Sequence, residues 1–218
     1  QMGFPVGRIN LLVKSAILHD IGALKLQQLP DAEDLDDGTK EVVKKNTQET
    51  LARYGDLDEE VLRLITQMQE LYTRESDAEI PAAIQESVNA NILYVADAYD
   101  RMTAMKSFEE PTSEVKAVRE LLADEERYNK KIVNALIHGI SILYPGVCVE
   151  LSNGEKGLVI TENEDNIFEP IVLDFRNNNL YDLSDPSVKQ TVEIADVMKT
   201  MDNRIKLDKS LLEEYQAN

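Results

Sequence analysis

Residues 16–26 read AILHDIGALKL: an apolar run ends in a histidine and an aspartate, and Ile21-Gly22 follow at once. Neighbours on a helix point about 100° apart. His19 and Asp20 can therefore converge on one ion only where a helix ends. An imidazole beside a carboxylate suits Mg, Mn, Fe or Zn. The plain alternative is a helix-terminal histidine with an acid before a turn. Working outward, Ile9, Leu12, Val13, Ala16, Ile17 and Leu24 fall at helical spacing, which predicts a helix over 7–28.

The same period continues downstream. LPDAEDLDDGTK at 29–40 holds Pro30, Gly38 and five acids and reads as a solvated loop. Residues 38–55 read as a second helix closed by Gly55, and 58–72 as a third with acids in its first turn. The longest helical pattern is 80–105, opened by Pro81, with Ile84, Val88, Ile92, Val95 and Tyr99 as its predicted buried stripe. Helices over 112–124 and 129–143 follow.

At Tyr144-Pro145-Gly146 the period changes. GVCVELSNGEKGLVI alternates apolar and polar residues around Asn153-Gly154, a hairpin pattern, and FEPIVLDFRNNNLYDLSD repeats it with RNNN as the turn. About four strands are expected here, with part of VKQTVEIADV as a further strand. The predicted fold is thus mainly α. A helical bundle over 1–143 precedes a small antiparallel β module over 144–200, and 201–218 forms a tail or helix.

Composition narrows the function. The net charge of −18 argues against duplex nucleic acid and anionic membranes as broad partners. A small anionic ligand in a local pocket stays open. Cys148 is the single cysteine, so neither a disulfide framework nor a cysteine-based zinc site is expected, which fits a cytoplasmic protein. No apolar run reaches the roughly 18 residues of a membrane span. The opening QMGFPVGRINLL reads as entry into a helix, as in a segment of a longer protein.

A second stretch, ILYVADAYDRMTAMKSF at 92–108, carries Asp97 after an apolar run and so toward the interior. Asp100 lies three residues on, on nearly the same face. A buried carboxylate needs a partner or a metal. The alternative is a carboxylate hydrogen-bonded to helix termini. AILHDIG followed by VADAYDRMTAMKSF, with the β pattern after them, resembles the HD superfamily of metal-dependent phosphohydrolases. More closely it resembles the bacterial HD-GYP branch that hydrolyses the signalling nucleotide cyclic di-GMP. The likeness covers about residues 10–190.

What the resemblance implies is a divalent metal (Mn, Fe or Mg) held by His19, Asp20 and Asp97, with Asp20 and Lys106 as catalytic candidates. The departures are as informative. Ala23 stands at the family's phosphate-contacting lysine, and Lys25 lies two residues on. Asn46 stands at the next ligand histidine. Met68 and Gln69 replace a histidine pair, with Glu70 kept, and no GYP occurs between Tyr72 and Pro81. Lys106 takes the place of an arginine and loses its bidentate fork. A ligand upstream of the HD pair falls before Gln1 or is absent. His138, the second of two histidines, reads as structural.

A two-metal hydrolase needs two ions about 3.5–4 Å apart, and three remaining ligands hold one weakly or none. The expectation is a degenerate HD-GYP-like signalling domain with phosphodiesterase activity lost or weak. One alternative is an active phosphodiesterase, with metal hydroxide at His19, Asp20 and Asp97 and with Lys106 or Arg101 on a phosphate oxygen. Another is a non-catalytic ligand-binding or dimerisation module. The partners implied are a cyclic dinucleotide, an upstream sensory or receiver domain, and a second copy of the chain. The β module reads as a stabilising appendage, and the acidic loop 31–37 as solvated surface.

Overall fold

The computed structural model describes residues 3–26, 37–54, 57–72, 81–105 and 110–198. The acidic loop 31–37 except Asp37, the segment 73–80, Lys106 and the predicted tail 201–218 lie outside them. The chain divides into two compact units: Gln1–Thr112 with Glu120–Leu136, and Ser113–Arg119 with Ile137–Asn218. As the sequence patterns predict, helices come first and a small antiparallel sheet follows.

The first unit holds helices α1 (Val6–Leu18), α2 (Asp37–Leu51), α3 (Glu59–Leu71), α4 (Ala82–Gln85) and α5 (Val88–Thr103), with a short 3-10 helix over Ile21–Lys25 after α1. Helix α3 packs against both α1 and α5, and the 3-10 helix lies on α2. The start of α3 is fixed by Asp58, whose side chain accepts from Glu60 N at 2.9 Å, with Glu59 and Glu60 facing the positive end of the helix dipole. Its Val61, Leu64, Ile65, Met68 and Leu71 recur at helical spacing and are all buried. Leu51, Val61 and Ile65 form one core, with Leu11, Leu18, Ile21, Leu57 and Leu62 packed on it.

Three sequence expectations change. The helix predicted over 7–28 stops at Leu18, and the chain turns through His19 and Asp20 into the 3-10 helix. The predicted 80–105 helix is two helices: Ser87 is extended and caps α5 by accepting from Ala90 N, while Asn91 donates to Gln85 O and Ser87 O, both at 2.9 Å. A buried amide thus satisfies the carbonyls freed by the break. The buried face of α5 is Ala90, Asn91, Leu93, Tyr94, Val95 and Ala98, whereas Val88 is exposed. The break takes Ile84 out of the α5 stripe, and of the five predicted members only Val95 is fully buried.

Helices α6 (Glu114–Ala123) and α7 (Lys130–Ile140) cross the division between the units. The second unit holds strands β1 (Cys148–Leu151), β2 (Lys156–Thr161), β3 (Ile171–Asp174), β4 (Leu180–Asp182) and β5 (Ile194–Val197), with the short helix α8 (Pro186–Lys189) before the last. The sheet order is β4-β3-β2-β1-β5, antiparallel throughout. The Asn153-Gly154 turn closes β1 on β2 with Val149 opposite Gly157, and Gly154 has φ +83°, the left-handed conformation that favours glycine. RNNN joins β3 to β4. In that turn Asp174 Oδ1 accepts from Arg176 N at 2.7 Å. The ambiguous VEIADV segment supplies a fifth strand, pairing Val197 with Val149. Alternate residues Val149, Leu151, Val159, Val172 and Ile194 are buried.

Candidate functional site

His19 is the C-cap of α1. Its Nδ1 lies 2.8 Å from Ala16 O. A carbonyl only accepts, so Nδ1 carries a proton. The other ring nitrogen, Nε2, is 3.0 Å from Asp97 Oδ1. A proton between Nε2 and this carboxylate makes the ring an imidazolium. Burial pulls the His19 pKa down, but the hydrogen bond and charge of Asp97 outweigh it and the value is raised. Burial pushes the Asp97 carboxyl up, yet His19, Arg101 and Tyr72 together hold it below the usual carboxylate range.

Asp97 stands midway along α5 with 15% of its side chain exposed, consistent with the interior placement its sequence context predicts. Its partners are side chains rather than helix termini. Oδ2 takes Arg101 Nε at 2.9 Å and also accepts from the Tyr72 hydroxyl. The Arg101 guanidinium lies over the Tyr72 ring, 4.6 Å from its centroid. The Tyr72 ring meets Tyr94 edge-on at 5.0 Å, and Tyr94 stacks on Tyr128 at 5.4 Å. Burial, then the Asp97 charge, raises the Tyr72 pKa far above its ordinary value, so its hydroxyl stays a donor.

The remaining motif residues have structural partners. Gln69 Nε2 donates to His19 O at 3.1 Å, tying α3 to the end of α1. Its Oε1 is buried and lacks a hydrogen-bond partner. Met68 is buried in the helical core at 1% exposure. Asn46 Nδ2 reaches toward Gly22 O at 3.5 Å, and Gly22 N donates to Thr47 Oγ1 at 3.0 Å. Glu70 pairs with Lys44 at 3.0 Å, and Lys25 and Asp100 are exposed. His138 lies exposed in the last turn of α7.

In this arrangement the donors pair with one another rather than opening toward a divalent ion. Asp20 Oδ1 approaches His19 from the Nδ1 side, 4.0 Å away, and is 68% exposed, while Asp97 lies on the Nε2 side. A ligand imidazole must offer a lone pair. Here Nδ1 is spent on a carbonyl and Nε2 faces Asp97. Both Asp97 oxygens already accept from cationic or hydroxyl donors. Among the described residues no three of His, Cys, Asp and Glu group to hold a metal.

Sequence reasoning singled out His19 and Asp97, which do meet, and Asp20, which does not join them. It missed Tyr72 and saw Arg101 only as a phosphate contact. The i,i+4 spacing from Asp97 is the signal that could have paired Arg101 with it.

In the second unit a cavity of about 390 Å³ lies among Arg119, Phe168, Leu183 and Val192. Around it Lys189 pairs with Glu169, and Arg119 donates to Ile194 O and lies over Phe168.

Among the described residues no helix is long and apolar enough to cross a membrane. No curated protein matches the chain. Residues 5–102 match the family model for the HD domain. The matched span contains both His19-Asp20 and Asp97, so the likeness to HD domains extends over the helices that carry this site.

Proposed function

We propose that this is a degenerate HD domain of the HD-GYP type, a cyclic di-GMP signalling module that binds its nucleotide without hydrolysing it. One observation carries the loss of turnover. The side chains at the places of the second metal's histidines serve the fold: Met68 fills the core, Gln69 fastens His19 O, and Asn46 reaches toward Gly22 O. None is an imidazole, and a neutral amide or thioether is a poor donor for the ions this chemistry uses. With Ala23 in place of a phosphate-contacting lysine, one electrostatic element of the transition state is also gone. Each such element is worth roughly 10²–10³ in rate.

The order of the two motifs and the β module after them support the cyclic di-GMP part. The test is hydrolysis of cyclic di-GMP by the purified chain with added manganese or iron, alongside calorimetry with the intact nucleotide. Binding without turnover is expected. Clear turnover that Asp20→Ala abolishes would overturn the loss of activity, and absence of binding heat at high nucleotide concentration would remove the ligand.

A further inference from the structure

We propose that Arg101 is the resident cation of this HD site, seated against Asp97 so that its guanidinium stands in for a divalent ion. The inference rests on reading the site as degenerate and adds what replaced the metal. Arg101 follows Asp97 by one helical turn, the acid-before-base order that favours an i,i+4 pair. Its Nε is 2.9 Å from Oδ2, with 47% of the arginine side chain exposed.

The seat is preformed. The guanidinium lies over Tyr72, and Tyr72 leans on Tyr94, which is 1% exposed and backed by Tyr128. Aromatic side chains anchored in this way have little freedom to withdraw. The Tyr72 hydroxyl donates to the same carboxylate oxygen, and His19 Nε2 faces the other. The carboxylate is therefore balanced by a cation covalently part of its own helix. A divalent ion at Oδ2 would have to expel the guanidinium, and one at Oδ1 would have to displace the His19 proton beside that same cation, in a half-buried site where the two would repel. The domain then keeps its local charge balance and its shape with no metal.

Manganese is the probe. The chain has two histidines, His19 and His138, so its imidazole signals in a proton NMR spectrum form a two-line experiment with an internal reference. In the parent chain, added manganese should leave the His19 line as sharp as that of His138, and EDTA should not shift the melting temperature. Selective broadening of His19 in the parent would overturn the proposal.

Arg101→Met keeps the stem over Tyr72 and removes the charge. This variant should bind manganese by calorimetry about tenfold or more tightly than the parent. The gain should disappear when Asp97→Asn is added. A folded Arg101→Met protein that binds manganese no better than the parent would also overturn it. If this variant does not fold, the parent spectrum decides alone. Turnover of cyclic di-GMP bears on the proposed function, whereas His19 broadening bears on Arg101, so the two can fail separately.

Discussion

Replacing Gly22 by alanine tests how the HDIG turn is held. An added methyl there would lie 2.3 Å from Val43 O, 2.4 Å from Thr47 N and 2.6 Å from Thr47 Oγ1. Comfortable contacts to carbon begin near 3.5 Å, so the 3-10 helix must move off α2 by roughly 1 Å. Two of the three obstructing atoms are α2 backbone and cannot rotate away. Overpacking of this kind costs about 1–3 kcal/mol, and a contact against fixed backbone belongs at the upper end. The displacement also breaks the bond from Gly22 N to Thr47 Oγ1, leaving a buried donor at a further cost of about 1–2 kcal/mol. Alanine restricts the unfolded chain and returns about 0.4–1 kcal/mol. The net loss is about 4 kcal/mol, a large share of the roughly 5–15 kcal/mol of a typical domain.

Urea unfolding followed by circular dichroism reads the effect. With a slope of about 1–2 kcal/mol per molar urea, the midpoint should fall by about 2–4 M. Gly139→Ala in α7 is the matched control, because nothing lies within 4 Å of its added methyl. As a helical glycine it should gain about 0.5–1 kcal/mol. Thr47→Ala added to Gly22→Ala should restore little, since the backbone obstacles remain. A Gly22→Ala protein that unfolds at the parent's midpoint would refute the argument that close backbone approach dictates this glycine.

Asp97→Ala should destabilise the first unit by about 2–3 kcal/mol, less than loss of a fully buried pair because Arg101 is half-exposed. Urea unfolding of the variant measures it, and a change below the fitting error would mean the network is not needed for the fold. The same network sets a pH dependence. His19 is raised above 6.5 in the folded chain, so its stabilisation is complete below that value and fades as pH climbs through the higher folded value. Asp97 is lowered below 3.8, so its contribution is present above that value and fades as pH falls through the lower folded one. Melting temperatures should therefore fall from mildly acidic to alkaline pH in the parent. The decline should flatten in His19→Asn, and an equal decline in both would locate the titration elsewhere.

Much of the architecture was legible because it depends on local rules. The 3.6-residue period of α3, the acids in its first turn and the change to alternation at Tyr144 each reflect one element burying one face. The Asn153-Gly154 and RNNN turns were readable from their chemistry. Where prediction slipped, a long-range partner intervened. Asn91 closes the break before α5, an amide whose use depends on where Gln85 O points. The apolar residues of the first helix gave its existence but not its inner face. Leu11, Leu18 and the buried Ser15 turn inward, while Ile9, Val13 and Ile17 are exposed. Both sides of that helix are apolar, so periodicity alone could not choose between them.

The candidate site divides in the same way. His19-Asp20 and Asp97 were visible as residue types in a familiar order, and the replacements Ala23, Asn46, Met68 and Gln69 announced that the ligand set was incomplete. By itself the sequence determined which donors exist: one imidazole near two carboxylates, with amides and a thioether where further imidazoles would be needed. Only the tertiary structure decided which of them meet. Asp20 falls on the wrong edge of the imidazole because the chain turns at the end of α1. Tyr72 comes from the end of α3 and Arg101 from one turn along α5, and the two saturate the same carboxylate oxygen. Residue identity fixes the available chemistry, but the direction of each lone pair and proton follows from how helices distant in sequence cross.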